Sequence, residues 1–405
     1  MRVIIVNDYA TVNGGASKVA LLSAKELAER GVEVHFVSGS NEIEDTYQNV
    51  PNLTFHTLNR NDQTMGSRQL VAVAYLNDCY QLVSNLIKQG KPSNTIVHLH
   101  CWKTGVSPSA LNATESAGAK FVVTFHDYHV ACPQGQFFNK KTNQICHLSP
   151  CGARCISTHC TDTRTIIPKW AEVYRHKIQV KKAGLPTRLK HAILLSEGCE
   201  KIIKPYLPPD CKIYKVDNPI EVTKLPRIDV SKNRNILFSG RLSAEKDPMT
   251  LLLACRKLGL PVKFIGDGPQ LSELKSLNYK DATFTGWITG ERIQDEMEHA
   301  RIFVLPSIWY EVRPLAPLEA MGRGIPVIAS ACTTTVSEFE EGESGLSFRP
   351  GDVESLSEQL LKLQSDEVAN KMSDSTYRQF WDNPPTLGNH IDQLLGTYQT
   401  ILSSS

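Results

Sequence analysis

The chain has 405 residues, of which 41% are hydrophobic and 21% are charged, with 44 lysine and arginine residues against 42 acidic residues. This is an ordinary globular composition, and at about 100–200 residues per domain the length predicts two domains. A net charge of +2 is too small for a protein that binds nucleic acid through its overall charge, so we expect no nucleic-acid partner.

The N-terminal residues predict a buried strand at 2–6 that leads directly into Asn7 and Asp8. They lack the apolar segment and the small-residue cleavage site of a signal peptide. Elsewhere no apolar run approaches the about 18–20 residues that span a bilayer. We therefore expect a cytoplasmic protein.

Short β-branched segments alternate with segments of helical period along the whole chain, beginning with an apolar helical face at 16–28. The further predicted strands lie at 32–37, 96–99, 121–125, 192–195, 213–216, 235–238, 262–265, 282–284, 302–305, 327–329 and 346–348. Strands that are apolar on both faces indicate parallel sheets covered on both sides by helices. The predicted fold class is α/β, with two Rossmann-like domains facing across a cleft.

The polar, proline-containing stretch 217–234 is the predicted linker, which places an N-terminal domain at 1–216 and a C-terminal domain from 217 to 385. In open α/β sheets, ligands bind outside the carboxyl ends of the strands. Functional residues are therefore expected directly after each strand.

Gly14 and Gly15 stand between the first strand and the first helix. Glycines at such a turn let the backbone approach a phosphate, and the helix N-terminus supplies N–H donors. An ordinary strand-to-helix turn is the alternative. The full G-x-G-x-x-G pattern is absent here and at 266–268, which disfavours a nicotinamide-dependent oxidoreductase.

Arg241 and Lys246 lie five residues apart, directly after the predicted strand 235–238. Arginine offers a bidentate fork and lysine a point charge, so together they suit one pyrophosphate. A solvated surface loop is the alternative interpretation.

Glu311 and Glu319 follow the predicted strand 302–305, and Pro314 and Pro317 favour a helix that begins between them. Glu311 is then in the loop and Glu319 in the early helix, where a carboxylate suits a ribose diol. The alternatives are helix capping by Glu319 and a solvated Glu311.

The Glu-x7-Glu pattern, followed by 320–330, resembles the retaining glycosyltransferases of family 4, which have the GT-B fold. The match extends in order to Gly14-Gly15, Thr124-Phe125-His126-Asp127, Asn218-Pro219, Gly240-Arg241 with Lys246, 266–269 and Gly286. The resemblance implies transfer of a sugar from a nucleotide-sugar donor to a glycan or lipid-linked glycan of the cell-surface polysaccharide type. It also implies that 386–405 crosses back to the N-terminal domain.

The resemblance implies a role at each matching position. Arg241 and Lys246 would hold the donor diphosphate, Glu319 the ribose hydroxyls, and Glu311 the transferred sugar. The other expected contacts are Gly14 and Gly15 with the diphosphate or sugar, His126 with the sugar near its anomeric carbon, and Gly286, Trp287 and Ile288 with the base. Glu311, His126, Arg241 and Lys246 form the expected catalytic set.

The chain contains no Asp-x-Asp pair, so cationic side chains and helix N-termini are expected to stabilise the leaving diphosphate without magnesium or another cofactor. We assign no general base, because the leaving phosphate itself would accept the acceptor's proton. Two departures from the family pattern are Thr333-Thr334-Thr335 in place of glycines, and Arg313, which either binds a charged substrate or is solvated.

Five of the eleven cysteines fall within 132–160, a predicted insertion in the N-terminal domain. Thiolates gathered on one loop suggest a structural zinc site at Cys132, Cys146, Cys151 and Cys155, with Cys160, His147 and His159 as substitutes. The alternatives are unligated thiols, an iron–sulfur cluster or disulfides.

The segment 164–190 carries eight basic residues and one acid, Glu172, with interleaved apolar residues. It predicts either peripheral contact with an anionic membrane or a solvated helix face. For the whole chain, the alternative to an enzyme is a non-catalytic metal- or glycan-binding protein on the same scaffold.

Overall fold

The computed structural model describes residues 1–60, 71, 73–220, 223–288 and 291–404. Contacts between residues divide the chain into two compact units. The first comprises Met1–Phe137, His147–Pro219 and Pro385–Ser405, and the second comprises Phe138–Cys146 and Ile220–Pro384. The C-terminal segment thus belongs to the first unit.

The first unit is built on a seven-stranded parallel sheet. The strands up to residue 219 are β1 (Arg2–Asn7), β2 (Glu33–Ser38), β3 (Leu53–Thr57), β4 (Thr95–Leu99), β5 (Lys120–Thr124), the hairpin strands β6 (Phe138–Asn139) and β7 (Gln144–Ile145), β8 (His191–Leu194) and β9 (Lys212–Lys215). The sheet has the order β3-β2-β1-β4-β5-β8-β9, while β6 and β7 pair with each other. β3 was not predicted, because this edge strand buries mainly Leu53 and carries polar residues between its apolar ones.

Helices cover this sheet on both sides. They are α1 (Gly15–Glu29), α2 (Asn77–Lys88), α3 (Ser109–Ala117), α4 (Ala153–Ser157), α5 (Ile167–Ile178), α6 (Glu197–Ile203) and the C-terminal helix Leu387–Ser403. The C-terminal helix shares a buried cluster with α1, in which Leu394 and Tyr398 pack with Ala24 and Leu27. It is fixed further by a hydrogen bond of 2.8 Å between His390 Nε2 and the Ser23 hydroxyl.

The second unit has a six-stranded parallel sheet. Its elements are β10 (Asn235–Ser239), α7 (Pro248–Leu258), β11 (Val262–Ile265), α8 (Leu271–Ser276), β12 (Ala282–Gly286), α9 (Glu291–Glu298), β13 (Ala300–Leu305), α10 (Leu315–Gly322), β14 (Val327–Ser330), β15 (Gly345–Phe348), α11 (Val353–Lys362) and α12 (Asp366–Asp382); the C-terminal helix is α13. The strand order is β12-β11-β10-β13-β14-β15.

Successive residues of β10 enter cores on opposite faces of the second sheet. Ile236 and Phe238 belong to one buried cluster and Leu237 to the other. This explains why the strands are continuous apolar runs in the sequence. The predicted α/β class with two Rossmann-like parallel sheets is confirmed.

Short helical turns complete the structure. The 3₁₀ turns lie at Asp45–Tyr47, Pro92–Asn94, Lys204–Tyr206, Val230–Lys232, Ala244–Lys246 and Thr334–Ser337, and a π-helical turn spans Gln179–Ala183. Among the described residues, no helix combines the length and the apolar character needed to cross a bilayer.

Candidate functional site

Three loops of the second unit pack closely where β10, β11 and β12 end. Gly240 N donates to Ile265 O, and Gly266 N donates to Gly286 O, both at 2.9 Å. A Cβ atom on Gly266 would lie 2.1 Å from Gly240 O, so a side chain there would collide with the backbone. Glycine therefore brings together the loops that carry Arg241 and the expected base-binding residues.

Lys246 and Glu311 form an ion pair at the ends of β10 and β13. Lys246 Nζ lies 2.6 Å from Glu311 Oε1, which also accepts hydrogen bonds from Ser307 Oγ at 2.6 Å and from Trp309 Nε1 at 3.0 Å. Lys246 Nζ lies 5.6 Å from the centroid of the Trp309 ring. Glu311 is only 4% exposed, so the alternative of a solvated carboxylate is wrong.

Arg241 differs from Lys246 in having no fixed counter-charge. Its side chain is exposed, and within the described part of the chain its guanidinium makes no hydrogen bond or ion pair. An anion that binds Arg241 therefore breaks no existing pair. This property suits the expected role with a diphosphate.

The remaining predicted residues of the second unit lie in nearby loops and on α10. Glu319 is half-buried on α10, which begins at Leu315 after Pro314, as the prolines predicted. Trp287 is 71% exposed directly after β12, while Ile288 packs against the core. The indole face is accessible for stacking on a flat ring.

Arg313 is neither solvated nor open to a substrate. Its guanidinium forms a fork with Glu338, with Nε–Oε1 at 3.0 Å and Nη2–Oε2 at 3.1 Å, and its side chain is 6% exposed. The neighbouring threonines are buried, and the Thr334 hydroxyl donates to Val312 O at 3.0 Å. Arg313 and Thr334, which depart from the family pattern, thus hold the loop after β14 and the loop after β13 together.

In the first unit, a chain of buried imidazoles reaches His126. His126 Nε2 lies 2.9 Å from His100 Nδ1, and the His98 ring lies against His100 with centroids 4.1 Å apart and the ring planes tilted by 37°. His98 in turn bonds Tyr398 Oη of α13 at 2.6 Å and Thr124 Oγ1 at 2.7 Å. Burial lowers the pKa of His126 to about 4 and holds the pKa values of His98 and His100 well below the usual range, so these rings are neutral at pH 7.

Asp8 fixes the loop after β4. Its carboxylate accepts backbone N–H bonds from four successive residues, Lys103 at 2.6 Å, Thr104 at 3.1 Å, Gly105 at 2.8 Å and Val106 at 3.0 Å. Sequence reasoning did not assign this role to Asp8 or select His100, although both directly follow predicted strands.

A cavity of about 220 Å³ lies at this edge of the first sheet. Its polar lining includes Asp8, Asn13, His100, Lys103, Asp127 and Arg175. Asp127 is turned toward His129, with Oδ2 2.7 Å from His129 Nδ1; although burial opposes ionisation, the His129 contact holds the Asp127 pKa at about 2. The predicted Gly14 and Gly15 are exposed at the start of α1, with Gly14 at φ 98°, and the helix has no side-chain cap there. The α1 N-terminus therefore offers N–H donors near the cavity-lining residue Asn13.

The cysteines of the segment 132–160 are free thiols in the structure. All eleven cysteines lie in described residues, and none forms a disulfide. Across the described ranges no three histidine, cysteine or acidic side chains are arranged to hold a metal ion. The buried Lys169 instead places its Nζ 3.6 Å from Cys155 Sγ, and Cys132 and Cys160 help to raise the Lys169 pKa against the effect of burial. Zinc at Cys132, Cys146, Cys151 and Cys155 stays a prediction.

Two families of known proteins match the two halves of the chain. Residues 14–180 match a family described as "Glycosyl transferase 4-like domain", and residues 226–379 match "Glycosyl transferases group 1". Together the two matched ranges include every predicted site residue.

Among individual proteins, a UDP-Gal:alpha-D-GlcNAc-diphosphoundecaprenol alpha-1,3-galactosyltransferase of Escherichia coli is 25% identical over 328 residues, 74% of each chain. The sulfoquinovosyl transferase SQD2 of Arabidopsis thaliana is 33% identical over 142 residues, which cover 34% of this chain. The match spans only 28% of that relative, and a match to a Streptomyces coelicolor exopolysaccharide phosphotransferase spans 18%.

Solved structures share the fold over the full length. Sucrose-phosphate synthase from Thermosynechococcus elongatus has a TM-score of 0.74 at 15% identity and covers 100% of both chains. Anabaena Alr3699/HepE, solved with UDP and glucose, has a TM-score of 0.68 at 15% identity and covers 99% of this chain and 100% of its own. These likenesses establish the two-domain α/β architecture.

Proposed function

Because the chain contains a glycosyl transferase 4-like domain and a group 1 glycosyltransferase domain and has the GT-B fold, we propose that it transfers a hexose from a UDP-sugar to a glycan carried on a lipid diphosphate. The UDP donor is supported by the named donor of the Escherichia coli relative and by the UDP-glucose complex of HepE. The lipid-linked acceptor is supported by the same Escherichia coli relative.

The observation that carries this proposal is that the segment after β10 holds two cations, an exposed guanidinium without an ion-pair partner among the described residues and an ammonium held by a buried carboxylate. Arg241 is exposed, and Lys246 is held at 2.6 Å from Glu311 on the adjoining loop. As the sugar leaves, negative charge grows on the diphosphate. Fixed cations stabilise such charge at little reorganisation cost, an effect worth about 10²–10³ in rate for a single donor group.

We propose retention of configuration without a catalytic metal. The C1–O bond to the acceptor forms on the face from which the C1–O bond to phosphate breaks. The acceptor's proton passes to the departing phosphate oxygen, so no side chain needs to act as the base. Glu311 would contact the sugar, Glu319 the ribose, His126 the region of the anomeric carbon, and Trp287 the base.

The proposal also includes a place of action. A lipid-linked acceptor lies at a membrane surface, so we propose peripheral contact through 164–190 at the cytoplasmic face. Structural zinc in the cysteine segment is a separate proposal, which elemental analysis of the purified protein tests.

Release of UDP from a panel of UDP-hexoses, with water or a lipid-diphosphate glycan as acceptor, tests the activity. We expect turnover by the parent protein and loss of it in Glu311→Ala. Leu361→Ser, on an exposed position of α11, is the matched control and should behave as the parent. Binding of UDP without any turnover would contradict the proposal and favour the non-catalytic alternative.

A further inference from the structure

Helix α5 exposes large apolar side chains on one side. Ile167 is 56% exposed, Trp170 51% and Tyr174 57%, whereas Ala171, Val173 and other residues of the helix are buried. At about 100° per residue these three positions and Lys177 fall within an arc of about 80°. Exposed apolar residues scattered singly are ordinary, but three in one row on one helix mark a binding surface.

The same row continues into basic residues. Lys177 is exposed one turn beyond Tyr174, and Lys181 is exposed in the π-helical turn that follows. We call these five residues the α5 stripe: Ile167, Trp170, Tyr174, Lys177 and Lys181.

The surroundings of the α5 stripe are positive. Within 164–190, all of which the structure describes, the one acid is Glu172, and it is buried with Arg175 Nε at 3.2 Å from its carboxylate. The exposed basic residues of this segment are Arg164, Lys177, Lys181, Lys182, Arg188 and Lys190. Of these, Arg188 is paired with Glu115 at 2.8 Å. A chain whose formal net charge is only +2 thus concentrates unpaired positive charge beside its exposed aromatic residues.

The chemistry of the α5 stripe matches the surface of an anionic bilayer. Tryptophan and tyrosine are favoured at the boundary between headgroups and acyl chains, because they combine an apolar ring with a polar atom. Trp170 is also fixed in place, since its Nε1 donates to Ile156 O at 3.2 Å. Lysines on the same row would face lipid phosphates. Three apolar side chains insert only shallowly, so such binding needs both apolar and electrostatic contributions.

We infer that the α5 stripe docks this protein on membranes that contain anionic phospholipid. The inference deepens the proposed function and rests on it, because a lipid-linked acceptor presents its glycan at such a surface. It assigns the contact to five positions and excludes Val173 and Ile166, apolar residues of the same segment that are not exposed.

Co-sedimentation with vesicles tests this inference. The parent protein should bind vesicles of phosphatidylcholine mixed with phosphatidylglycerol, bind phosphatidylcholine alone weakly, and be released by high salt. Each lysine removed should lower the partition coefficient about fivefold, so Lys177→Glu with Lys181→Glu should lower it by about 25-fold or more. Trp170→Ser should lower it about tenfold.

Matched controls come from exposed positions of the second unit. Leu361→Ser controls for loss of an exposed apolar side chain, and Lys280→Glu with Lys371→Glu controls for the change of charge. Both should bind vesicles as the parent does. Parent-like binding by the stripe variants, or equal binding to both kinds of vesicle, would overturn the inference.

Activity in solution separates this inference from the proposed function. The lysine variant should release UDP from a donor at the parent rate, whereas Glu311→Ala should lose turnover and keep vesicle binding. The lysine variant also guards against misfolding, because Lys177 and Lys181 are exposed while Trp170 is partly packed. If the parent binds a protein partner through this face and no vesicle, the inference is wrong.

Discussion

In the second unit, two of the predicted site residues are oppositely charged and bind each other: Lys246 forms an ion pair with Glu311 across two loops. In the first unit, the loops after β4 and β5 are joined by the neutral rings of His100 and His126, and the neighbouring His98 bonds Tyr398 of the C-terminal helix. Charged residues that directly follow strands can be recognised as a motif in the sequence. Neutral hydrogen-bonded rings leave little pattern, because their partners lie up to 300 residues apart in the sequence.

Replacement of Lys246 should have the largest effect on activity. Lys246→Met removes the charge that faces the leaving diphosphate and leaves Glu311 buried without its cation, so kcat should fall by about 10²–10³. Steady-state kinetics with a UDP-sugar measure this. A change of less than about threefold would show that the charged pair of the second unit is structural only.

The ion pair between Arg313 and Glu338 should contribute to the stability of the second unit. Arg313→Met breaks the fork with Glu338 and leaves a largely buried carboxylate, so the free energy of unfolding should fall by about 2 kcal/mol. Urea denaturation measures the loss. Adding Glu338→Gln should recover part of it, and a double variant less stable than Arg313→Met would contradict the pairing.

Replacement of His100 in the first unit should lower activity less than replacement of Lys246 in the second unit. His100→Leu removes the ring nitrogen that orients His126, and kcat should fall about tenfold while KM stays near the parent value. His100→Asn, whose side-chain amide keeps a polar atom near the position of Nδ1, should recover part of the rate. Equal loss in both variants together with a lowered melting temperature would assign His100 to stability alone.

The two units should also differ in their response to acid. Burial lowers the pKa values of His126, His176 and His191 in the first unit to about 4, so the unfolded chain takes up protons near pH 6.5 before the folded unit does. The first unit therefore loses stability as the pH falls from about 6.5 toward 4. In the second unit, burial raises the pKa of Asp247 to about 6, although hydrogen bonds from Thr250 lower it. The folded unit therefore takes up this proton before the unfolded chain does, so the contribution of Asp247 to stability grows as the pH falls below about 6.

Hydrogen exchange followed by mass spectrometry, corrected for intrinsic rates, compares the two units at pH 7 and pH 5. Protection should fall more in β4, β5 and β8 than in β10, β11 and β13. The opposite order would contradict the assignment of the neutral imidazoles.

The sequence was sufficient for the α/β class and for nearly every central strand, because buried parallel strands are continuous apolar runs. It was insufficient for β3, which lies at an edge and mixes polar with apolar residues. In the site, Arg241, Lys246 and Glu311 were selected because charged residues after strands follow a motif. Asp8 and the His98–His100 pair were not, because their meaning depends on loops that meet only in the folded unit.

The environment of single side chains was the least predictable feature. Arg313 and Glu311 both looked compatible with solvent, yet both are buried through partners on other loops. In α5, by contrast, apolar residues that could have been buried differ in exposure: Tyr174 is exposed to solvent, whereas Val173 is buried.

The central claim is that Arg241 and Lys246 bind the diphosphate of the donor. Isothermal titration of UDP and of uridine into the parent, Arg241→Ala and Lys246→Ala tests it directly. The claim predicts that each variant weakens UDP binding about tenfold or more and leaves uridine binding unchanged. UDP affinity equal to that of the parent in both variants would contradict it.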